Sequence, residues 1–224
     1  MDISGKKILV FGTGISGISA AKLLLGRQAR VILFDGNDTL DCARILEEFP
    51  EDAAVEIYTG ELPQEKREEI GLVVLSPGVP ADLPLVCDFR AAGIPVWGEV
   101  ELAYRCAKGD LLAITGTNGK TTTTSLVGEI LKSRFDNVKV VGNIGIPYTS
   151  MADDMTEETV TVAEISSFQL ETIDSFCPRV SAILNITPDH LNRHHTMENY
   201  IAAKLAITKN QTADQICVLN YEDE

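Results

Sequence analysis

A short motif rich in glycine and threonine has the residue types that bind a nucleoside triphosphate. Backbone N–H groups at the start of a helix attract phosphate oxygens, a lysine reaches the β- and γ-phosphates, and a threonine hydroxyl coordinates Mg²⁺. An apolar run precedes the motif, although its glycines are closer together than in the common phosphate loop. A helical pattern follows it, with an apolar stripe of Leu126, Val127, Ile130 and Leu131. We therefore expect a phosphate loop formed by Gly116, Thr117, Asn118, Gly119, Lys120, Thr121 and Thr122.

A second glycine motif follows the first predicted strand. The motif Gly12-Thr13-Gly14-Ile15-Ser16-Gly17 opens a helix, and Asp35 ends the next predicted strand, where a dinucleotide-binding fold places the acid that binds a ribose. Two interpretations remain open from these residues. Either the helix N-terminus binds a dinucleotide or another nucleoside diphosphate, or the glycines only allow a tight turn and close helix packing.

Candidate metal ligands follow two later strands. Glu164 ends the predicted strand 160–164, and His190 follows the predicted strand 180–186. Because the carboxyl ends of parallel strands meet at one edge of a sheet, both side chains should face the same crevice as Thr121. Glu164 has the hard oxygen that Mg²⁺ prefers, whereas His190 is a less usual donor. The pattern alone leaves Glu164 equally compatible with helix capping.

Two neighbouring features have an ordinary interpretation. His190, His194 and His195 lack the cysteine or carboxylate spacing of a zinc site, which favours solvent-facing loop histidines. Lys204 follows Tyr200 on a helical segment, and this pattern alone predicts a surface lysine with a partly covered stem.

Strand-like and helix-like segments alternate along the chain, which predicts an α/β fold with parallel sheets and crossover helices. The predicted strands are Lys7–Phe11, Val31–Phe34, Val55–Tyr58, Leu72–Leu75, Pro95–Trp97, Leu111–Thr115, Lys139–Val141, Val160–Glu164, Val180–Ile186 and Ile216–Leu219. The predicted helices are Ser16–Leu25, Cys42–Phe49, Leu83–Ala92, Glu99–Cys106 and Thr124–Arg134. We place a domain boundary near Trp97, with a Rossmann-like parallel-sheet domain in residues 1–97 and a P-loop-type α/β domain in residues 98–224.

Composition argues against several classes of protein. The 224 residues, 45% of them hydrophobic, are enough for one large or two small cores. The formal net charge of −14 and the lack of a Lys/Arg cluster argue against nucleic-acid binding. Five scattered cysteines without a CxxC pair are typical of reduced thiols, and no apolar run approaches the ~18 residues of a membrane span. We expect a soluble, cytoplasmic monomer.

Further strings resemble the Mur ligases of peptidoglycan synthesis. They accompany the two glycine motifs, and the resemblance extends from Lys6 to Asn220. The strings are Ser76-Pro77-Gly78-Val79, Gly98-Glu99-Val100-Glu101-Leu102, Gly142-Asn143-Ile144-Gly145, Glu164-Ile165-Ser166-Ser167-Phe168-Gln169-Leu170-Glu171, Leu184-Asn185-Ile186-Thr187-Pro188-Asp189-His190 and Ala202-Ala203-Lys204.

The resemblance assigns roles to individual residues. It implies that Lys120 and Thr121 bind ATP phosphate and Mg²⁺, and that Lys204 is carried as a carbamate, an oxygen-donor anion able to hold a second Mg²⁺. The implied metal ligands are Thr121, Glu164, His190 and Lys204, and the implied catalytic residues are Lys120, His190 and Lys204. The UDP end of a substrate is assigned to Ile15, Ser16, Asp35, Ser76 and Gly78, and its muramoyl end to Asn143, Ser166 and Gln169. Gly36-Asn37 depart from the polar or basic uridine contacts common in the family.

The implied reaction joins D-glutamate to UDP-N-acetylmuramoyl-L-alanine, using ATP and Mg²⁺, through an acyl-phosphate. Because the family continues beyond the last predicted strand, we expect an incomplete ATP-binding domain that binds ligands without turnover. The residues considered without the resemblance leave two alternatives. One is a nicotinamide- or flavin-dependent oxidoreductase built on Gly12–Gly17, and the other is a non-enzymatic nucleotide-binding switch.

Overall fold

The computed structural model describes residues 3–222, which form two parallel sheets flanked by helices. The first sheet comprises β1 (Lys7–Phe11), β2 (Arg30–Asp35), β3 (Val55–Thr59), β4 (Leu72–Leu75) and β5 (Val96–Gly98), in the spatial order β3-β2-β1-β4-β5. The second comprises β6 (Asp110–Thr115), β7 (Val138–Gly142), β8 (Val160–Glu164), β9 (Val180–Ile183) and β10 (Ile216–Leu219), in the order β10-β9-β6-β8-β7. These sheets confirm the predicted α/β class.

Helices connect the strands. They are α1 (Ile15–Gly26), α2 (Cys42–Leu46), α3 (Gln64–Arg67), α4 (Pro84–Ala91), α5 (Glu99–Cys106), α6 (Lys120–Lys132), α7 (Ser167–Leu170), α8 (Leu191–His194) and α9 (Met197–Leu205), with 3₁₀ turns at Tyr148–Ser150, Ala152–Asp154 and Ala206–Thr208. Among residues 3–222, no helix combines the length and apolar character needed to cross a membrane.

Strand order places each glycine motif where open sheets bind ligands. β1 pairs with β2 on one side and β4 on the other, and β6 lies between β9 and β8. The chain therefore reverses its direction of winding beside β1 and beside β6, which opens a crevice at the carboxyl ends of these strands. The two glycine motifs directly follow these two strands.

Strands β1, β4 and β8 are apolar because they are buried on both faces, whereas the four residues of edge strand β10 are exposed. On β1, Ile8 and Val10 belong to the core formed with α1 and α5, whereas Leu9 and Phe11 belong to the core on the opposite face. Phe89 of α4 packs into this opposite core. The alternation follows from the two-residue period of a strand.

Helix α5 is shared by the two halves of the chain. Its Leu102 packs into the core of the first sheet, and its Val100 into the core of the second. The buried Glu101 carboxylate accepts hydrogen bonds from the backbone N–H groups of Asp174 (2.9 Å) and Phe176 (3.0 Å). These contacts fix α5 against the second sheet, while the boundary near Trp97 stays a prediction.

The structure corrects one predicted packing face. Helix α6 begins at Lys120, four residues before the predicted start at Thr124, because the glycine preceding Lys120 ends the loop. It buries Thr124 and Gly128 against the sheet, whereas Leu126 and Ile130 of the predicted apolar stripe are each 58% exposed. A Cβ at Gly128 would lie 2.5 Å from a methyl carbon of Val140, so close packing against β7 selects the small residues.

Candidate functional site

The predicted phosphate loop connects β6 to α6. Its two glycines both have positive φ, 154° at Gly116 and 81° at Gly119. Gly119 is the N-cap of α6 in the left-handed region, which favours glycine. The loop therefore directs the N-terminus of α6, with its unpaired backbone N–H groups, toward the crevice beyond β6, as phosphate binding requires.

A second loop holds the phosphate loop in place. Asn185 follows β9, and its backbone oxygen accepts a hydrogen bond from the Thr117 N–H at 2.9 Å. Its side chain accepts from the Asn118 N–H at 2.9 Å and donates to the Asn118 backbone oxygen at 3.0 Å. The residue patterns alone gave Asn185 no role, because they do not reveal that β9 pairs with β6.

Two lysines converge on one carbonyl oxygen of this loop. Lys120 Nζ and Lys204 Nζ donate to the Gly116 backbone oxygen at 2.9 and 2.8 Å. Lys204 is 1% exposed, so its pattern-based assignment to the surface is wrong. Burial, followed by the positive charge of Lys120, lowers the pKa of Lys204 to about 8. Its neutral amine is therefore more populated near neutral pH than that of an ordinary lysine.

Glu164 lies directly beside the phosphate loop. Its Oε2 accepts a hydrogen bond from the Thr121 hydroxyl at 2.7 Å, and its Oε1 accepts one from Asn143 Nδ2 at 2.7 Å. The carboxylate is buried, with the residue 1% exposed. A carboxylate and a hydroxyl in contact at a helix N-terminus are the hard-oxygen donors that suit Mg²⁺, so this pair fits the metal that the sequence suggests.

His190 lies outside this pair of donors. Within residues 3–222, the partners found for its side chain are Asp189 at 3.5 Å and the rings of Phe168 and Tyr200, with centroid separations of 5.0 and 6.4 Å. It is not in hydrogen-bond contact with Glu164. In the same part of the chain, no three His, Cys, Asp or Glu side chains are grouped so that they could hold a metal.

The three loop histidines differ in exposure. His195 is exposed, as is His190, whereas His194 is only 5% exposed. His194 Nε2 lies 2.9 Å from the Ser167 hydroxyl, and burial lowers the pKa of His194. The predicted solvent-facing position is therefore wrong for His194, because α8 turns its side chain inward between the rings of Phe168 and Tyr200.

A cavity of about 570 Å³ separates the carboxyl edges of the two sheets. Its volume is typical of a small-molecule site. The first half of the chain contributes Gly12, Thr13, Gly14, Ile15, Ser16, Asp35, Ser76, Pro77, Gly78 and Val79. The second contributes Glu99, Gly142, Asn143, Gly145, Pro147 and Gln169. The structure thus brings together all the residues that the resemblance assigns to the substrate, apart from Ser166.

Ser166 instead supports one of the lining residues. It is the N-cap of α7, and its hydroxyl and backbone N–H both bond to Gln169 Oε1, at 3.0 and 2.9 Å. The Gln169 N–H returns a hydrogen bond to the Ser166 hydroxyl at 3.3 Å. This reciprocal capping box fixes the Gln169 side chain at the cavity wall.

The first glycine turn depends on close packing and on Asp35. A Cβ at Gly17 would lie 1.8 Å from the Gly12 backbone oxygen, so only glycine allows α1 to start this close to the turn. Asp35 Oδ2 accepts hydrogen bonds from the Thr13 N–H (3.1 Å) and hydroxyl (2.9 Å). The acid at the end of β2 therefore shapes the turn in addition to lining the cavity.

Glu99 is a buried carboxylate in the cavity wall to which the sequence assigns no role. Its Oε1 accepts hydrogen bonds from the Thr149 N–H (2.7 Å) and hydroxyl (2.8 Å), while no partner is found for Oε2 among residues 3–222. Burial raises the pKa of Glu99, and the bonds from Thr149 oppose that shift. The Thr149 hydroxyl also lies 2.9 Å from the Ser19 hydroxyl, which joins α1 and α5 to the turn Tyr148–Ser150.

This arrangement predicts a pH-dependent stability difference for Glu99→Gln. The folded protein binds the Glu99 proton more tightly than the unfolded chain does, so wild-type stability falls as pH rises from the ordinary pKa of 4.5 toward the raised folded value. The amide cannot ionise. We expect the melting temperature of Glu99→Gln to increase, relative to that of the wild type, between pH 4.5 and pH 8.

The control is Glu157→Gln at an exposed glutamate paired with exposed Lys108. Its melting temperature should follow that of the wild type across the same pH range. A Glu99→Gln difference that stays constant with pH would contradict the prediction.

Two family models match the chain. One is described as the Mur ligase MurD-like N-terminal domain and matches residues 6–98. The other is described as the Mur ligase middle domain and matches residues 114–224. The matched ranges contain the first and the second sheet, except for the start of β6.

Similar curated proteins are named UDP-N-acetylmuramoylalanine--D-glutamate ligase. The chain is 58% identical over 223 residues to the relative from Lachnoclostridium phytofermentans and 55% identical over 224 residues to that from Lachnospira eligens. Both alignments cover 100% of this chain, but 49% and 50% of the respective relatives. The chain therefore spans about half the length of the curated relatives it matches.

Solved structures share the fold. The UDP-N-acetylmuramate-alanine ligase MurC from Thermotoga maritima has a TM-score of 0.56 and 23% identity, over 97% of this chain and 49% of that chain. The murein peptide ligase Mpl from Psychrobacter arcticus has a TM-score of 0.57 and 17% identity, over 98% of this chain and 50% of that chain. At such identities the likeness concerns the fold alone. The two family models, which together match residues 6–98 and 114–224, show that the chain belongs to the Mur ligase family.

Proposed function

We propose that this chain provides the substrate- and ATP-binding part of a ligase that joins D-glutamate to UDP-N-acetylmuramoyl-L-alanine. Its family supports a ligase of peptidoglycan synthesis, and the name shared by its relatives supports this pair of substrates. Family membership also favours the ligase over the oxidoreductase and the nucleotide-binding switch. A cytoplasmic, monomeric state and a role in cell division stay predictions.

Asn143 is the observation that carries the proposal. It lines the 570 Å³ cavity, and its Nδ2 donates to Glu164, whose other oxygen accepts from Thr121 of the phosphate loop. One side chain thus connects the proposed substrate cavity to the proposed phosphate and metal site. A substrate carboxylate near Asn143 would lie close to the phosphoryl group of ATP, and such proximity is what phosphoryl transfer to a carboxylate requires.

The two ends of the cavity suit different parts of the substrate. The turn Gly12–Gly17 places the N-terminus of α1 at the wall, where backbone N–H groups suit a diphosphate. Ile15 and Ser16 begin this helix, and Ser76 and Gly78 face it from the loop after β4. We assign this end to UDP. Asn143 and Gln169 offer amide groups at the opposite wall, which we assign to the muramoyl part.

The phosphate loop supplies what ATP and Mg²⁺ need. Lys120 would contact the β- and γ-phosphates, and Thr121 with Glu164 would hold Mg²⁺. A bound magnesium ion would supply positive charge against the phosphate oxygens. Binding of Mg²⁺ by His190 and carbamate formation at Lys204 stay predictions. The low pKa of Lys204 supports the second of them, because CO₂ adds only to a neutral amine.

Calorimetric titration tests the proposed substrate. We expect the chain to bind UDP-N-acetylmuramoyl-L-alanine and to bind NAD more weakly, because the cavity joins a diphosphate-type turn to amide groups of the second domain. Asn143→Ala should weaken binding of the UDP ligand roughly 10-fold, the effect of one or two lost hydrogen bonds.

Asn220→Ala is the matched control, since Asn220 is exposed beyond β10. Its affinity for the UDP ligand should equal that of the wild type. Tighter binding of NAD than of the UDP ligand would overturn the proposed function.

A further inference from the structure

Helix α8 is bounded by two strained residues. His190 and His195 have φ angles of 52° and 67°, in the region that non-glycine residues rarely adopt. Such a conformation is strained and persists only where the surrounding contacts enforce it. Only four residues, Leu191–His194, lie between them in the helix. Backbone hydrogen bonds hold this short segment, and the side chains of Arg193 and His194 add further contacts.

Arg193 makes the most extensive of these contacts within the second domain. Its Nη2 donates to Glu171 Oε2 at 2.8 Å, and its guanidinium carbon lies 4.4 Å from the ring centroid of Phe168. The side chain is 16% exposed, so the ion pair is largely shielded from solvent. Charge, planarity and stacking together fix the orientation of the guanidinium against α7.

The same guanidinium reaches the first domain. Nη1 donates to the Pro77 backbone oxygen and Nη2 to the Val79 backbone oxygen, both at 3.3 Å. Pro77 and Val79 line the 570 Å³ cavity, together with Gly78 between them. Ser76, at the start of this loop, donates to the Gly12 backbone oxygen at 3.4 Å. Arg193 is thus bonded to the loop that packs on the first glycine turn, although it is not among the residues that line the cavity.

His194 fixes the other side of the cluster. Its Nε2 lies 2.9 Å from the Ser167 hydroxyl, and its Nδ1 lies 3.3 Å from Glu171 Oε1. A serine, a histidine and a carboxylate in this order also occur in hydrolases, but Ser167 is 2% exposed and has no room for a substrate. The arrangement instead holds Glu171 in place for Arg193.

We propose that Arg193 is a positioning residue, which sets the loop Ser76–Val79 against α7 and so fixes the UDP end of the cavity without contacting the ligand. This inference rests on the proposed function for the identity of the ligand. An arginine suits the position because its planar fork can bond two carbonyl oxygens and a carboxylate while it stacks on a ring. A lysine has one compact charge and cannot make all four contacts.

Three variants test the proposal. Arg193→Met removes every polar contact, and Arg193→Lys keeps only the charge. The matched control is Arg90→Met, because Arg90 bonds to the Ala81 backbone oxygen at 2.7 Å within the first domain. For each variant we would measure affinities for UDP-N-acetylmuramoyl-L-alanine and for ATP by calorimetry, the melting temperature, and hydrogen–deuterium exchange of residues 76–80.

Arg193→Met should weaken binding of the UDP ligand roughly 10-fold and leave ATP affinity within about twofold, since the two hydrogen bonds to the loop Ser76–Val79 are lost. Exchange at residues 76–80 should become faster, and Arg193→Lys should restore little of either property. Arg90→Met should behave as the wild type for both ligands.

The outcomes separate this inference from the proposed function. If wild type binds the UDP ligand and Arg193→Met binds it equally well, with unchanged exchange at residues 76–80, the positioning role is wrong and the proposed function stands. An equal loss of affinity for both ligands, with a lower melting temperature, would assign Arg193 to general stability and also overturn the inference. If the wild type does not bind the UDP ligand, the proposed function fails, and the exchange data alone decide whether Arg193 holds the loop.

Discussion

Replacement of Lys120 by alanine is expected to weaken ATP binding on the order of 100-fold, because a charged hydrogen bond to phosphate in such a site contributes about 1.5–3 kcal/mol. Lys120 Nζ lies within the loop, 2.9 Å from the backbone oxygens of both Gly116 and Thr117. Lys204 is bonded to Gly116 as well, but it is buried beneath the loop. It cannot replace Lys120 at the phosphates.

Calorimetry with ATP measures this effect, and thermal melting shows whether the fold is intact. We expect little change in melting temperature, because the loss of two hydrogen bonds is offset by relief of the repulsion between Lys120 and Lys204. The matched control is Lys132→Ala, at the exposed C-terminal end of the same helix. Equal ATP affinity in the Lys120 variant and the wild type would show that the loop has only a structural role.

Replacement of Glu164 by glutamine is expected to weaken the apparent affinity for Mg²⁺ in the presence of ATP by roughly 10- to 100-fold. The effect is large because Mg²⁺ usually takes only one or two carboxylates from a protein. The amide keeps the shape of the side chain. It can still accept from Asn143 with its oxygen and donate to the Thr121 hydroxyl with its nitrogen, so the two contacts at 2.7 Å survive with one of them reversed.

Magnesium titration at fixed ATP provides the measurement. Glu158→Gln is the matched control, since Glu158 is exposed just before the opposite end of β8. We expect His190→Ala to weaken magnesium binding less than Glu164→Gln, because nitrogen is the poorer donor for this ion. An unchanged magnesium requirement in Glu164→Gln would remove Glu164 from the proposed metal site.

The strands were the most predictable part of the fold. β1, β4, β8 and β10 have the bounds expected from their apolar runs, because the runs are bounded by turn residues. β1, β4 and β8 are also buried on both faces, whereas β10 is exposed. The predicted strand 180–186 ends at Ile183, and its last three residues belong to the loop that holds the phosphate loop. Apolar character alone could not separate strand from loop there.

The candidate site was predictable where its residues belong to one local motif or end a strand. It was less predictable where contacts depend on strand order and helix packing. Thr121 and Glu164 each follow from a motif or a strand end, and the parallel sheet brings them into contact. Their roles stay predictions. The burial of Lys204 and His194 depends on the packing of α8 and α9 against the phosphate loop and α7. No periodicity within either short helix encodes that packing.

The buried cluster of Ser19, Thr149 and Glu99 has a consequence for how a ligand enters the cavity. It joins the first and second domains through hydrogen bonds of 2.7–2.9 Å, beside a helix α5 that packs into both cores. Loops that become ordered only on binding lower the affinity, because their conformational entropy is lost at that moment. Here the two domains that form the cavity walls are joined in the folded protein, so their conformational entropy is lost during folding and not on binding. Association should therefore proceed at the rate of diffusional encounter with a preformed cleft, rather than at the slower rate of a closing motion.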